Sequence, residues 1–143
     1  MDSTYYALVS ERNVQLWAER TPDDFLFNIK AYALMTQHPA EVSRMPQDLR
    51  EMLSATERQE SQSKRPSPAV LNRAFEMFWS ALGPLRQVDK LGLITFQFPP
   101  YFIARQKTLI ISPAWLNGCR GPLSPLNSVI RARCANQISG PRP

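Results

Sequence analysis

Residues Lys90 to Phe102 read KLGLITFQFPPYF. Leu91 to Phe98 is a short apolar run with a Gly near its start and two prolines after its end, the pattern of a buried strand that stops where no backbone N–H is left to donate. Successive side chains of a strand point to opposite faces, so Leu93, Thr95 and Gln97 share one face and Ile94, Phe96 and Phe98 the other. One face is apolar and aromatic; the other carries the polar groups.

The segment before this strand is a helix. Ser67-Pro68 supplies a capping residue followed by Pro at the first helical position, where its missing N–H costs nothing. Leu71, Ala74, Phe75, Phe78, Trp79, Leu82 and Leu85 then recur at three and four, a wide apolar face suited to packing on a sheet. The aromatic stripe is core material. Gly83-Pro84 is placed to kink the last turn before Asp89-Lys90 leads into the strand.

The same helix-then-strand order occurs earlier. Ser10 is positioned to cap a helix with Glu11 in its first turn and Val14, Trp17 and Ala18 as its apolar stripe, ended by Thr21-Pro22. Phe25 to Ala31 then alternates, with Phe25, Phe27, Ile29 and Ala31 against Leu26, Asn28 and Lys30, which is a strand with polar groups toward the end of its second face. A Lys at the carboxyl end of such a strand is either salt-bridged for structure or part of a site, and strand carboxyl ends are where β/α folds build sites. Two strands with Asn28, Lys30, Thr95 and Gln97 on a common face away from the helices favour a barrel interior over an open, doubly covered sheet.

The remaining segments carry weaker signals. Met1 to Leu8 is expected to be the end of a strand. Tyr32 to Pro46 is expected to be a loop or irregular segment, with His38, the only histidine of the chain, read as a surface residue in it. Gln47 to Leu53 is expected to be a short helix, and Ala55 to Arg65 an exposed connection.

Charge is unevenly distributed along the 143 residues. Residues 1–102 hold 11 Lys or Arg and 12 Asp or Glu, whereas residues 103–143 hold 6 basic residues and no acid, so the excess of +5 belongs to the second stretch. Its basic residues, Arg105, Lys107, Arg120, Arg131, Arg133 and Arg142, share no helical or strand spacing, which argues against a built nucleic-acid surface despite the high pI. Cys119 and Cys134, with no His nearby, give no zinc spacing and no case for a disulfide. No Gly-rich phosphate loop is present, and no cofactor is indicated. The absence of a membrane-length apolar run or a signal-type N-terminus makes the cytoplasm the expected compartment.

The blocks DSTYY at Asp2 to Tyr6, LWAERTPDDFLFNIKA at Leu16 to Ala31 and KLGLITFQFPPYF resemble successive blocks of the YecE-like family, also called domain of unknown function 72. The resemblance covers Met1 to about Phe102 and implies an α/β fold: part of a TIM (β/α) barrel, strands two to four with their helices. It places Ser3, Thr4 and Tyr5 at the end of the second barrel strand, Lys30 at the end of the third, and Gln97 at the end of the fourth, all at the carboxyl face. It implies an enzyme or binding protein for a small polar or anionic ligand, with Lys30 supplying positive charge and Gln97 with Ser3 or Thr4 supplying hydrogen bonds. A nucleic-acid-binding or phosphodiester-processing barrel is the alternative.

The family's fifth strand, of the type AVEFRHPSW, is not in the chain as translated. Pro122 to Ile130, PLSPLNSVI, can be encoded so that a one-base shift reads Ala-Ile-Ala-Val-Glu-Phe-Arg-His-Pro, and the same shift upstream permits an amphipathic helix. The expectation is therefore that residues 1–102 are a partial barrel domain and residues 103–143 an out-of-frame tail. Such a chain is expected to be a non-functional gene remnant with no turnover of its own and, with open strand edges, to aggregate or self-associate.

Overall fold

The computed structural model describes residues 3–64 and 66–99, and the backbone alone of 119–120 and 129–134. The strand that decides the fold is β4, Leu91–Gln97, and it runs parallel to β1, Phe27–Lys30. Ile29 lies beside Ile94 and Lys30 beside Thr95. Ile29, Ile94, Phe96 and Phe98 are buried, while Asn28 and Gln97 are exposed. The two-faced pattern is thus realised.

Between Phe27 and Ile29 the register slips. There the Asn28 side chain replaces a rung of the ladder, its Oδ1 accepting from the Leu93 N–H at 3.1 Å. Gly92 makes room for it, because a Cβ at position 92 would stand 2.8 Å from that oxygen and 3.3 Å from the Phe27 carbonyl.

Helices form where the caps foretold. In α2, Glu11–Glu19, the Ser10 hydroxyl accepts from the Asn13 N–H, and Val14 and Ala18 are buried. In α5, Pro68–Ala81, the Ser67 hydroxyl accepts from the Val70 N–H, and Val70, Ala74, Phe75, Phe78 and Ala81 face inward. Phe75 stacks on Phe96, joining helix to sheet, with ring centres 6.4 Å apart. Leu82 ends α5 and opens the short α6, Gly83–Gln87. These helices and the apolar sheet face share one continuous core.

Three expectations need correction. Residues Ser3–Tyr6 form a single helical turn, α1, and are no strand; Thr4 uses its hydroxyl to bond the Lys30 carbonyl at 2.7 Å. The segment from Tyr32 to Met45 is irregular, as expected, but does not lie on the surface: a 3-10 turn at Ala33–Thr36, the short strand β2, Ala40–Glu41, and a second turn at Val42–Arg44 bury Tyr32, Leu34, Met35, Val42 and Met45. Short turns carry no periodicity, so only apolar density marks them. The connection after Ser54 contains a helix, α4, Ala55–Gln59, held by a reciprocal capping box between Ser54 and Glu57, and then β3, Gln62–Ser63, antiparallel to β2. The short helix α3, Gln47–Met52, is found as expected.

The larger sheet has the order β1-β4-β6-β5, where β6, Val129–Cys134, runs antiparallel to β4, and β5, Cys119–Arg120, antiparallel to β6. The fold is mixed α/β, and its parallel part is the short pair β1 and β4. Pro100 to Phe102 and the boundary expected at Phe102 lie outside the described residues. Among the described residues no helix is long and apolar enough to cross a membrane, and no group of His, Cys, Asp and Glu could hold a metal ion.

Candidate functional site

At the carboxyl end of β1 three elements converge. The first is α1, fastened by Thr4 to the Lys30 carbonyl. That bond sets Tyr5 against the Lys30 side chain, whose Nζ lies 4.7 Å from the centre of the Tyr5 ring, within range of a cation–π contact. The second element is β1 itself, which ends in Lys30, and the third is the turn at Ala33–Thr36. It ends at Gln37, whose φ of 61° is the left-handed conformation that closes a turn and releases His38 to the side. The His38 imidazole meets the same Tyr5 ring edge-on, with centres 5.6 Å apart.

Thr36 governs the orientation of His38. Its hydroxyl donates to the Ala33 carbonyl at 3.0 Å, and the same Oγ1 lies 3.0 Å from His38 Nδ1. Burial first, and the nearby Lys30 ammonium second, hold His38 below the ordinary histidine pKa of 6.5, opposed by a hydrogen bond to the Thr36 backbone. Burial and the neighbouring Tyr6 push the Tyr5 phenol up. Near neutral pH the imidazole of His38 and the phenol of Tyr5 are therefore neutral.

Of the residues expected at the site, Thr4, Tyr5 and Lys30 come together, with Thr4 acting on the backbone. Ser3 is exposed on α1. Gln97 is exposed two residues beyond Thr95 on β4, on the face expected, but no hydrogen bond or ring contact ties it to the cluster. Asn28 serves the ladder. His38 and Thr36 were missed, since the segment holding them reads as a loop; the run of five apolar residues from Ala31 to Met35 was the available sign that this chain segment turns inward.

Two further polar features belong to the fold's interior. Tyr32, directly after the strand, is fully buried; its hydroxyl has no hydrogen-bond partner among the described residues, and burial raises its pKa to about 12. A groove of about 790 Å³ beside β2 and β3 is lined by Glu41, Glu51, Glu60, Arg50 and Arg58, among others, so opposite charges nearly balance there.

Comparison with known families matches residues 1–117 to the model described as "Protein of unknown function DUF72". The chain belongs to the DUF72 family. The match extends beyond Phe102, the end of the blocks that carried the resemblance. Among curated proteins, the UPF0759 protein YunF of Bacillus subtilis is 26% identical over 141 residues, which is 99% of this chain and 40% of that protein. Among solved structures, a DUF72 protein of Enterococcus faecalis superposes with a TM-score of 0.51 at 19% identity, over 77% of this chain and 35% of that one. That likeness is one of fold. The chain thus spans well under half the length of the DUF72 relatives it matches.

Proposed function

We infer that the carboxyl end of β1 and β4 belongs to a binding site for a small anionic molecule. The observation that carries this reading is the Lys30 ammonium held over the Tyr5 ring beside His38. A lysine held over an aromatic ring at the carboxyl end of a parallel strand is placed to meet an anion, and β/α folds build their ligand sites there. In this reading the chain contributes part of a TIM barrel, and Thr95 and Gln97 of β4 offer hydrogen bonds on the same face.

Sulfate titrated into the full chain tests the reading. Binding that weakens by about tenfold or more in Lys30→Gln, which removes one charge-assisted contact, is the expected result. Equal binding by both proteins would sink it.

A second reading concerns the chain as translated. Residues 103–143 carry six bases and no acid, and a one-base shift of their codons can spell the family's missing strand. We take these residues to be an out-of-frame product and the chain to have no turnover of its own. Sequencing the coding DNA decides the point: codons for Pro122 to Ile130 that cannot encode Glu-Phe-Arg-His in a shifted frame rule it out.

A further inference from the structure

We propose that residues 129–134 act as an edge cap: by pairing with β4 they occupy a strand edge on which a second copy of the chain would otherwise assemble.

β4 is the strand with most to offer another chain. Its seven residues make it the longest of the described strands, and Ile94, Phe96 and Phe98 are buried on its apolar face. One of its edges is taken by β1. The bonds made there fix the direction of the remaining backbone groups. The Leu93 N–H goes to Asn28 Oδ1, and the Thr95 carbonyl accepts from the Ala31 N–H at 2.9 Å, so Leu93 and Thr95 turn their backbone toward β1. Successive residues of a strand turn theirs to opposite edges. The backbone groups of Ile94 and Phe96 therefore face the other edge. Left open, that edge is a row of donors and acceptors on which a further strand adds.

β6 fills the row. It runs antiparallel to β4, with Ile94 beside Ala132 and Phe96 beside Ile130, so these two pairs exchange the ladder bonds. The pairing covers residues 93–97. Main-chain pairing makes few demands on sequence, and the cap therefore holds for either reading of the tail's coding frame. What lies beyond it is a poor template, because β5 is two residues long and pairs only with Arg133 and Cys134. Residues 103–143 also carry six bases and no acid, so two tails repel each other. The partner excluded is a second copy, joined through β4 of each chain in antiparallel, twofold pairing. An antiparallel β6 also cannot continue a β/α barrel, whose strands are all parallel. The sequence led to self-association through open edges; the topology closes one of them.

Single prolines in the full chain test the cap. Ala132→Pro removes an N–H that β6 turns to β4, whereas Arg131→Pro removes one that points the other way. In the parent the Ile94 and Phe96 amides are expected to be protected from hydrogen exchange. In Ala132→Pro both should exchange at least about tenfold faster, while the Leu93 amide, bonded to Asn28, keeps its rate. The mass of that variant in light scattering should rise about twofold above the parent's as concentration increases. Arg131→Pro, although it loses a charge, should resemble the parent in both measurements. Ile94 and Phe96 amides that exchange as fast in the parent as in Ala132→Pro overturn the cap. An Ala132→Pro chain that loses their protection yet gains no mass over the parent overturns its role as a guard against assembly. Equal effects of the two prolines overturn the assignment of the ladder on which the proposal stands.

Discussion

Lys90 precedes β4 at the amino end of the parallel pair and Lys30 closes β1 at its carboxyl end, so one short unit holds a lysine at each end. Lys90 is 4% exposed, and its Nζ donates to the carbonyls of Ala18 and Thr21 at 2.7 and 2.8 Å, completing the C-terminal end of α2. Its approach to the exposed Asp23, at 3.9 Å, adds little. Lys30 is half-buried, beside an aromatic ring and a neutral imidazole. The same side chain is a structural bolt where its donors meet fixed backbone acceptors, and a chemical group where it meets a ring and a titratable side chain. What surrounds the ammonium, and not its depth alone, separates the two uses.

The largest expected effect breaks this comparison at the amino end. Lys90→Met keeps the length of the side chain but removes the ammonium donor to the Ala18 carbonyl at the end of α2 and the Thr21 carbonyl just beyond it, and a loss of about 3 kcal/mol in urea unfolding is expected, with sulfate affinity of the remaining folded protein unchanged. Gly92→Ala comes next. The added methyl meets Asn28 Oδ1 and the Phe27 carbonyl, and about 2 kcal/mol of stability is expected to be lost.

At the carboxyl end the effects on stability shrink while those on binding grow. Thr4→Val removes the bond to the Lys30 carbonyl, so about 1 kcal/mol is expected to be lost, together with the protection of Tyr5 from solvent in fluorescence quenching. Lys30→Gln should cost less stability than Lys90→Met, while sulfate binding falls. A Lys30 variant as destabilising as Lys90→Met would erase the distinction.

The smallest effect is a pH dependence. His38 has its pKa lowered in the folded state, so the unfolded chain takes up its proton first as pH falls. Its contribution to stability is complete above pH 6.5, the ordinary histidine value, and is lost as pH drops through that value to the lower folded one. Comparing melts of the parent and His38→Gln across this window should show the slope only in the parent.

The strands β1 and β4 and the helices α2 and α5 were legible because each carries its own period and its own cap: alternation in LITFQF, Ser10 before Glu11, Ser67 before Pro68. What escaped was written in contacts across the chain. Ser3 to Tyr6 favour strands by composition, yet form a helical turn anchored to Lys30. The Tyr32 to Met45 segment is buried without any period. Half of the site was visible, since a Lys at a strand's carboxyl end has positional meaning by itself. His38 acquires meaning only from Thr36 and Tyr5, and Lys90 only from α2. The capping box of Ser54 and Glu57 was readable from its spacing and was passed over because no apolar face followed it.

The Lys90 bonds join residues 72 and 69 positions apart in sequence. Such contacts cannot form until α2, α5, α6 and the start of β4 have come together, which places them after the rate-limiting step of folding if that step assembles local structure first. Lys90→Met should then leave the folding rate almost unchanged and raise the unfolding rate by nearly the whole loss in stability. A lysine in this position sets how long the assembled unit lasts, and has little part in how quickly it is made.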